Sequence, residues 1–156
     1  MSHLKINDPA PDFEAIVTDG RHIRLSQFKG KNVVLYFYPK DNTPGCTNEA
    51  RDFQALLPEF EKQNTKIIGV SRDSQVSHQK FRDKLGLTFD LISDVDGTVC
   101  QAYGVLKPKQ MFGREYMGIV RSTFLIDAQG TIRGIWSKVK VNGHAKSVLD
   151  TITQMD

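Results

Sequence analysis

The chain has 156 residues, 39% of them hydrophobic and 25% charged, with a net charge of +3 at pH 7. That is the size of one ordinary domain, long enough to bury roughly two thirds of its unfolded surface, so residues 1–156 are read as a single domain. The charge is too mild to point to nucleic acid or an anionic membrane surface, and no apolar run approaches the ~20 residues that a membrane-spanning helix needs.

The opening segment MSHLKINDPAPDF holds no apolar signal core, which gives the expectation of a cytoplasmic protein. DFEAIVTDGRHIRLSQF then reads as a β-hairpin, with two short apolar runs flanking Asp19-Gly20. NVVLYFYP (32–39) is almost continuously apolar, as expected of a central strand covered on both faces. Beyond Pro39, Cys46, Ala50, Phe53, Leu57 and Phe60 are spaced by three and four and form one apolar helical stripe. Thr43 is a suitable N-cap for that helix and Pro44 a suitable first residue. TKIIGVSRD (65–73) predicts a second buried strand, and SQVSHQKFRDKLG (74–86) a helix closed by Gly86. FDLISD predicts a short strand and DGTVCQAYGV a short helix. Residues 119–136, IVRSTFLIDAQGTIRGIW, predict a hairpin turning near Ala128-Gln129-Gly130, ended by the single Trp136. SKVKVNGH reads as a solvated edge and loop, and GHAKSVLDTITQM as a closing amphipathic helix with His144 as a cap or surface residue. The alternation predicts an α/β fold: a central mixed sheet flanked by helices, with an N-terminal β-hairpin.

Two cysteines 54 positions apart do not make a secreted disulfide framework and are expected to be free thiols. Counting from Thr43, Cys46 falls in the first helical turn. Backbone N–H groups there lack intrahelical partners and the helix dipole is positive, and both favour thiolate over thiol. Gly45 would let a small ligand approach the backbone, and the Thr43 hydroxyl could cap the helix or face the sulfur. A packing role competes, because Cys46 lies on the apolar stripe and buried cysteines act as small hydrophobes. Spacing alone leaves both readings open.

Other chemistries fit less well. A cysteine phosphatase needs Cys-x5-Arg, whereas Cys46 and Arg51 are separated by four residues. A thioredoxin-type oxidoreductase needs Cys-x-x-Cys, and Glu49 stands at the second position. Arg51 reads as a solvated helix charge, with attraction of an anionic reductant as the alternative. His3, His22, His78 and His144 are scattered, so no metal site is predicted.

YPKDNTPGCTNE (38–49) matches the motif Pro-x-x-x-Thr-x-x-Cys with Pro39, Thr43 and Cys46. With DPAPDF, GVSRDS, SDVDGTVCQAYGV and RSTFLIDAQGTI in the same order, the chain resembles peroxiredoxins of the bacterioferritin-comigratory or Q-type group over nearly its whole length. The resemblance implies a thioredoxin-like fold and a thiol peroxidase acting on hydrogen peroxide and organic hydroperoxides without metal or organic cofactor. It implies Cys46 as the peroxidatic cysteine, passing through a sulfenic acid. Thr43 would contact peroxide and thiolate, Pro39 would shield the pocket, Arg121 would complete the site, and Glu49 would brace the arginine. The resolving cysteine common in this group, five residues on, is replaced by Arg51. A one-cysteine mechanism is therefore expected, with an external thiol reductant, thioredoxin or glutathione with glutaredoxin, in a monomeric protein. The alternatives are Cys100 as resolving residue, or a redox sensor or binding protein without fast turnover.

Overall fold

In the computed structural model, which describes residues 3–155, the chain runs in this order. The strands are β1 (Glu14–Ile16), β2 (His22–Arg24), β3 (Asn32–Phe37), β4 (Thr65–Ser71), β5 (Asp90–Ser93), β6 (Leu106–Met111), β7 (Arg114–Ile119), β8 (Ser122–Ile126) and β9 (Ile132–Ser137). The helices are α1 (Pro44–Lys62), α2 (Gln75–Leu85), α3 (Thr98–Ala102) and α4 (His144–Thr153), with a 3-10 turn at Leu25–Phe28.

The apolar run read as a central strand is one. β3 lies in the middle of a five-stranded sheet of order β5-β4-β3-β8-β9. It pairs parallel with β4 and antiparallel with β8, and β4 with β5 is parallel while β8 with β9 is antiparallel. The sheet is therefore mixed, as the sequence pattern implies. Alternation along β3 then divides the core. Val34, Tyr36 and Tyr38 point into one cluster, with Cys46, Phe53 and Phe60 of α1, Phe81 of α2 and Val148 and Ile152 of α4. Val33, Leu35 and Phe37 point into the other, with Val99 and Cys100 of α3, Tyr103 and Ile23 of the N-terminal hairpin. The two cysteines thus lie on opposite faces of the sheet.

The N-terminal hairpin is present as expected, with strands of three residues each and a turn that needs one left-handed residue, Gly20 at φ 85°. Two features differ from the sequence reading. The stretch 119–126 is not one strand but is broken at Val120–Arg121, because the chain passes there from β7 into the central sheet. β7 itself pairs with β6 in a hairpin that the pattern did not show. Its residues are largely exposed, it contains Pro108, and its turn is Phe112-Gly113, both left-handed at φ 53° and 77°.

Candidate active site

The site grows from the junction of β3 and α1. Thr43 is the extended N-cap residue at φ −101°, and Pro44, which has no N–H to leave unpaired, is the first helical residue. The Thr43 carbonyl accepts from the Thr47 amide at 2.8 Å. Its hydroxyl makes no cap; it donates instead to the Lys40 carbonyl at 2.8 Å, closing the loop that leaves β3. Pro39 is exposed on that loop.

Cys46 follows in the first turn and is 2% exposed. Arg121, freed by the break before β8, reaches across to it. Its Nη2 donates to Cys46 Sγ at 3.3 Å, and its Nη1 donates to Glu49 Oε1 at 2.6 Å. Gly45 makes this approach possible. A Cβ there would stand 3.2 Å from Nη2, so the arginine packs close against the glycine. Cys46, Glu49 and Arg121, 75 residues apart at the extremes, therefore form one chain of charge-assisted hydrogen bonds.

Burial opposes the Arg121 charge, but Glu49 and Cys46 outweigh it and hold the guanidinium ionised. Glu49 is 1% exposed, and its Oε2 has no hydrogen-bond partner among the described residues. Burial raises its carboxyl to about 7, against the pull of Arg121. Tyr36 forms the floor, stacked on Phe53 at 4.6 Å between centroids. Burial, then the charges of Glu49 and Cys46, push its phenol well up. Lys109 on β6 adds a second cation, its Nζ donating to the Ile119 carbonyl at 2.7 Å. Burial, Lys107 and Arg121 lower its pKa while Cys46 pulls the other way. Sequence reasoning missed Lys109, because it sits on the hairpin that carried no readable pattern.

His144 corrects the sequence reading. Gly143, left-handed at φ 78°, is the N-cap, and His144 is buried, with Nε2 2.7 Å from Thr123 Oγ1 and its ring edge-on to Trp136 and Phe53. Burial and the nearby Arg121 lower it to about 4. Arg51 is exposed.

Cys100 is fully buried on the far face, and its amide donates to Asp94 Oδ2 at 2.8 Å. Burial, reinforced by Asp94, pushes this thiol far above the ordinary cysteine range. A disulfide requires Cα atoms within ~7 Å, and the sheet stands between the two cysteines. In the folded chain Cys100 and Cys46 therefore lie apart, on opposite faces of the sheet.

Residues 6–135 match the AhpC/TSA family. Peroxiredoxin Bcp of Xanthomonas campestris is 50% identical over 151 residues, 96% of this chain and 94% of the relative. Trapped intermediate and ligand complexes of the Xanthomonas campestris bacterioferritin comigratory protein, solved to explain its alkyl peroxide reduction activity, superpose with a TM-score of 0.88. They show 45% identity and cover 98% of both chains. A yeast mitochondrial 1-Cys peroxiredoxin, studied for thiol resolution by glutathione and thioredoxin systems, superposes at 0.81 with 30% identity, covering 96% of this chain and 75% of its own.

Proposed function

Since the chain belongs to the AhpC/TSA family of peroxiredoxins, which are thiol-dependent peroxidases, we propose that Cys46 is its peroxide-reducing sulfur and that it works by a one-cysteine mechanism. The Cys46 thiolate attacks one oxygen of hydrogen peroxide or an organic hydroperoxide. The S–O bond forms as the O–O bond breaks, the leaving oxygen takes a proton to depart as water or alcohol, and Cys46 is left as sulfenic acid. An external thiol then attacks the sulfenic sulfur, releasing water and forming a mixed disulfide. A second external thiol then attacks the outer sulfur of the mixed disulfide, freeing Cys46 as a thiolate and leaving the two external thiols oxidised to a disulfide, which supplies the two electrons the peroxide has taken.

The observation that carries this reading is the Arg121 guanidinium, 3.3 Å from Cys46 Sγ and braced at 2.6 Å by Glu49. A fixed cation at the mouth of a helix stabilises both the thiolate and the negative charge that grows on the leaving oxygen. Thr43 and Pro39 frame the peroxide, Thr43 after its hydroxyl leaves the Lys40 carbonyl. Thioredoxin, or glutathione with glutaredoxin, supplies the reducing thiol, and the protein acts as a cytoplasmic antioxidant enzyme without metal or organic cofactor. Two free cysteines suit that reducing compartment.

The test is intact mass after one equivalent of hydrogen peroxide, with and without a sulfenic-acid trap, on wild type and Cys100→Ser. A gain of one oxygen or one trap adduct, the same in both proteins, is expected. A loss of two hydrogens that Cys100→Ser abolishes would establish Cys100 as the resolving residue. No mass change would remove Cys46 as the reacting sulfur.

A further inference from the structure

The loop that holds Pro39 and Thr43 is fixed from outside the site. At its centre Asp41 is 5% exposed, although aspartate is a residue that proteins rarely bury. Three donors converge on its carboxylate: Tyr38 Oη at 2.6 Å, Ser77 Oγ at 2.8 Å and the Nδ1 of His78 at 2.7 Å. The Asp41 amide donates to Asp73 Oδ2 at 2.8 Å, and Asp73 also accepts from Ser71 Oγ at 2.7 Å. One residue on, Asn42 is left-handed at φ 63°, and its side-chain oxygen accepts from Lys84 Nζ at 2.7 Å. Helix α2, with Ser77, His78 and Lys84, therefore grips the loop at two successive residues.

His78 is fully buried. Its Nε2 faces the Ile92 carbonyl at 3.0 Å and its Nδ1 faces the Asp41 carboxylate. Both of these partners are acceptors, so each ring nitrogen faces a group that an N–H would satisfy. Ser71 Oγ at 3.4 Å from Nε2 and Tyr38 Oη at 3.5 Å from Nδ1 complete the polar groups around the ring. Asp41, Asp73 and His78 group three metal-type donors within 4.8 Å, but the atoms concerned already hold protein hydrogen bonds, so the cluster is closed by its own partners.

We propose that His78 is a positioning residue for the peroxide reaction: paired with Asp41, it holds the Pro39–Thr43 loop in register with Cys46. The inference rests on Cys46 as the reacting sulfur. His78 touches neither Cys46 nor Arg121 in any hydrogen bond of the structure; it acts through Asp41, two residues from both Pro39 and Thr43. A buried polar pair suits this role, because it has one good geometry and alternatives leave a polar group unpaired.

The test compares two rates at Cys46 in wild type, His78→Gln and the Asp41→Asn/His78→Gln pair. One is oxidation by hydrogen peroxide, which needs the loop; the other is alkylation by iodoacetamide, which needs the thiolate and access to it but no alignment of an O–O bond. Displacement of a reacting group by about 1 Å costs on the order of a hundredfold. The ratio of oxidation to alkylation is therefore expected to fall at least about tenfold in His78→Gln, and to stay low in the pair even where the pair regains thermal stability. A purely structural role would leave the ratio unchanged in the folded fraction, and that result overturns the inference. Nitrogen-15 NMR of the wild-type imidazole decides the matter if the variants do not fold. Two ring N–H protons on His78 at neutral pH support the pairing, and a single one overturns it. A wild type inert to peroxide sinks the Cys46 reading and this inference together, whereas a reactive wild type with an unchanged ratio sinks this inference alone.

Discussion

Glu49 and His144 both feel the charge of Arg121, and burial shifts them in ways that oppose each other in pH. The Glu49 carboxyl rises from 4.5 to about 7 through burial, against the pull of Arg121. Between those values the folded chain holds a proton that the unfolded chain has released, so stability falls as pH rises across the window. At roughly 1.4 kcal/mol per unit, the loss accumulates to about 3 kcal/mol. His144 falls from 6.5 to about 4 through burial and Arg121. In that window the unfolded chain binds the extra proton, so stability rises with pH. From 4.5 to 6.5 the two slopes cancel in part, and the wild type is expected to be flat there, with a decline above. Glu49→Gln removes the falling limb and exposes the rising one. His144→Phe removes the rising limb, and its loss of the Thr123 hydrogen bond lowers stability by an offset that does not vary with pH. The assay is urea unfolding of the reduced protein in steps of about one pH unit from about 4.5 to 8, read as midpoint at constant slope. Profiles of both variants parallel to wild type would refute the assignment of these shifts to these side chains.

Other substitutions separate the parts of the site. Arg121→Met is expected to slow peroxide oxidation of Cys46 by roughly 10²–10³, the usual cost of one preorganised donor, measured by stopped-flow; Arg121→Lys recovers only part, since an ammonium cannot span Cys46 and Glu49 as the fork does. Gly45→Ala places a methyl 3.2 Å from Arg121 Nη2. It is expected to slow oxidation several-fold while adding up to about 1 kcal/mol of helix stability, so that activity and melting temperature move in opposite directions. Cys100→Ser puts a hydroxyl in a fully buried site and is expected to cost about 1–3 kcal/mol, seen in urea unfolding, with the peroxide rate unchanged.

Local pattern was enough to read the sheet's strands and the four helices. β3 announces itself by an unbroken apolar run, α1 by a stripe at helical period, and Gly86, left-handed at φ 66°, by its place after α2. Cys46 was legible because strand, turn and helix start are consecutive in the chain. Arg121 was legible as a residue only through the resemblance to peroxiredoxins, and its contact with Cys46 spans 75 positions that no periodicity encodes. The β6–β7 hairpin was not legible, since its residues are mostly exposed and burial is what writes alternation into a sequence. His144 was misjudged, and His78 went unread, for a related reason. Their burial depends on Asp41 and Thr123, 37 and 21 residues away, and histidine gives no local sign of whether a partner waits for it.

The parity of β3 also bears on how the proposed cycle must be completed. Residues of one parity share a cluster with Cys46, and residues of the other share one with Cys100, so the central sheet stands between the two sulfurs and neither meets the other without leaving its core cluster. Cys100 is moreover the poorer nucleophile, since burial and Asp94 keep it a thiol. An attacking thiol from outside meets a different obstacle. Cys46 is 2% exposed and the Arg121 side chain 16%. A peroxide is small enough to enter between them, but a thiol must reach the sulfur in line with the S–O bond. The two half-reactions therefore ask opposite things of the first turn of α1: closure around Arg121 for oxidation and opening for reduction. The groups that set this balance are the ones that bind the turn to its surroundings, Glu49 through Arg121 on one side and Asp41 through His78 on the other, and both rest on buried polar pairs rather than on apolar packing.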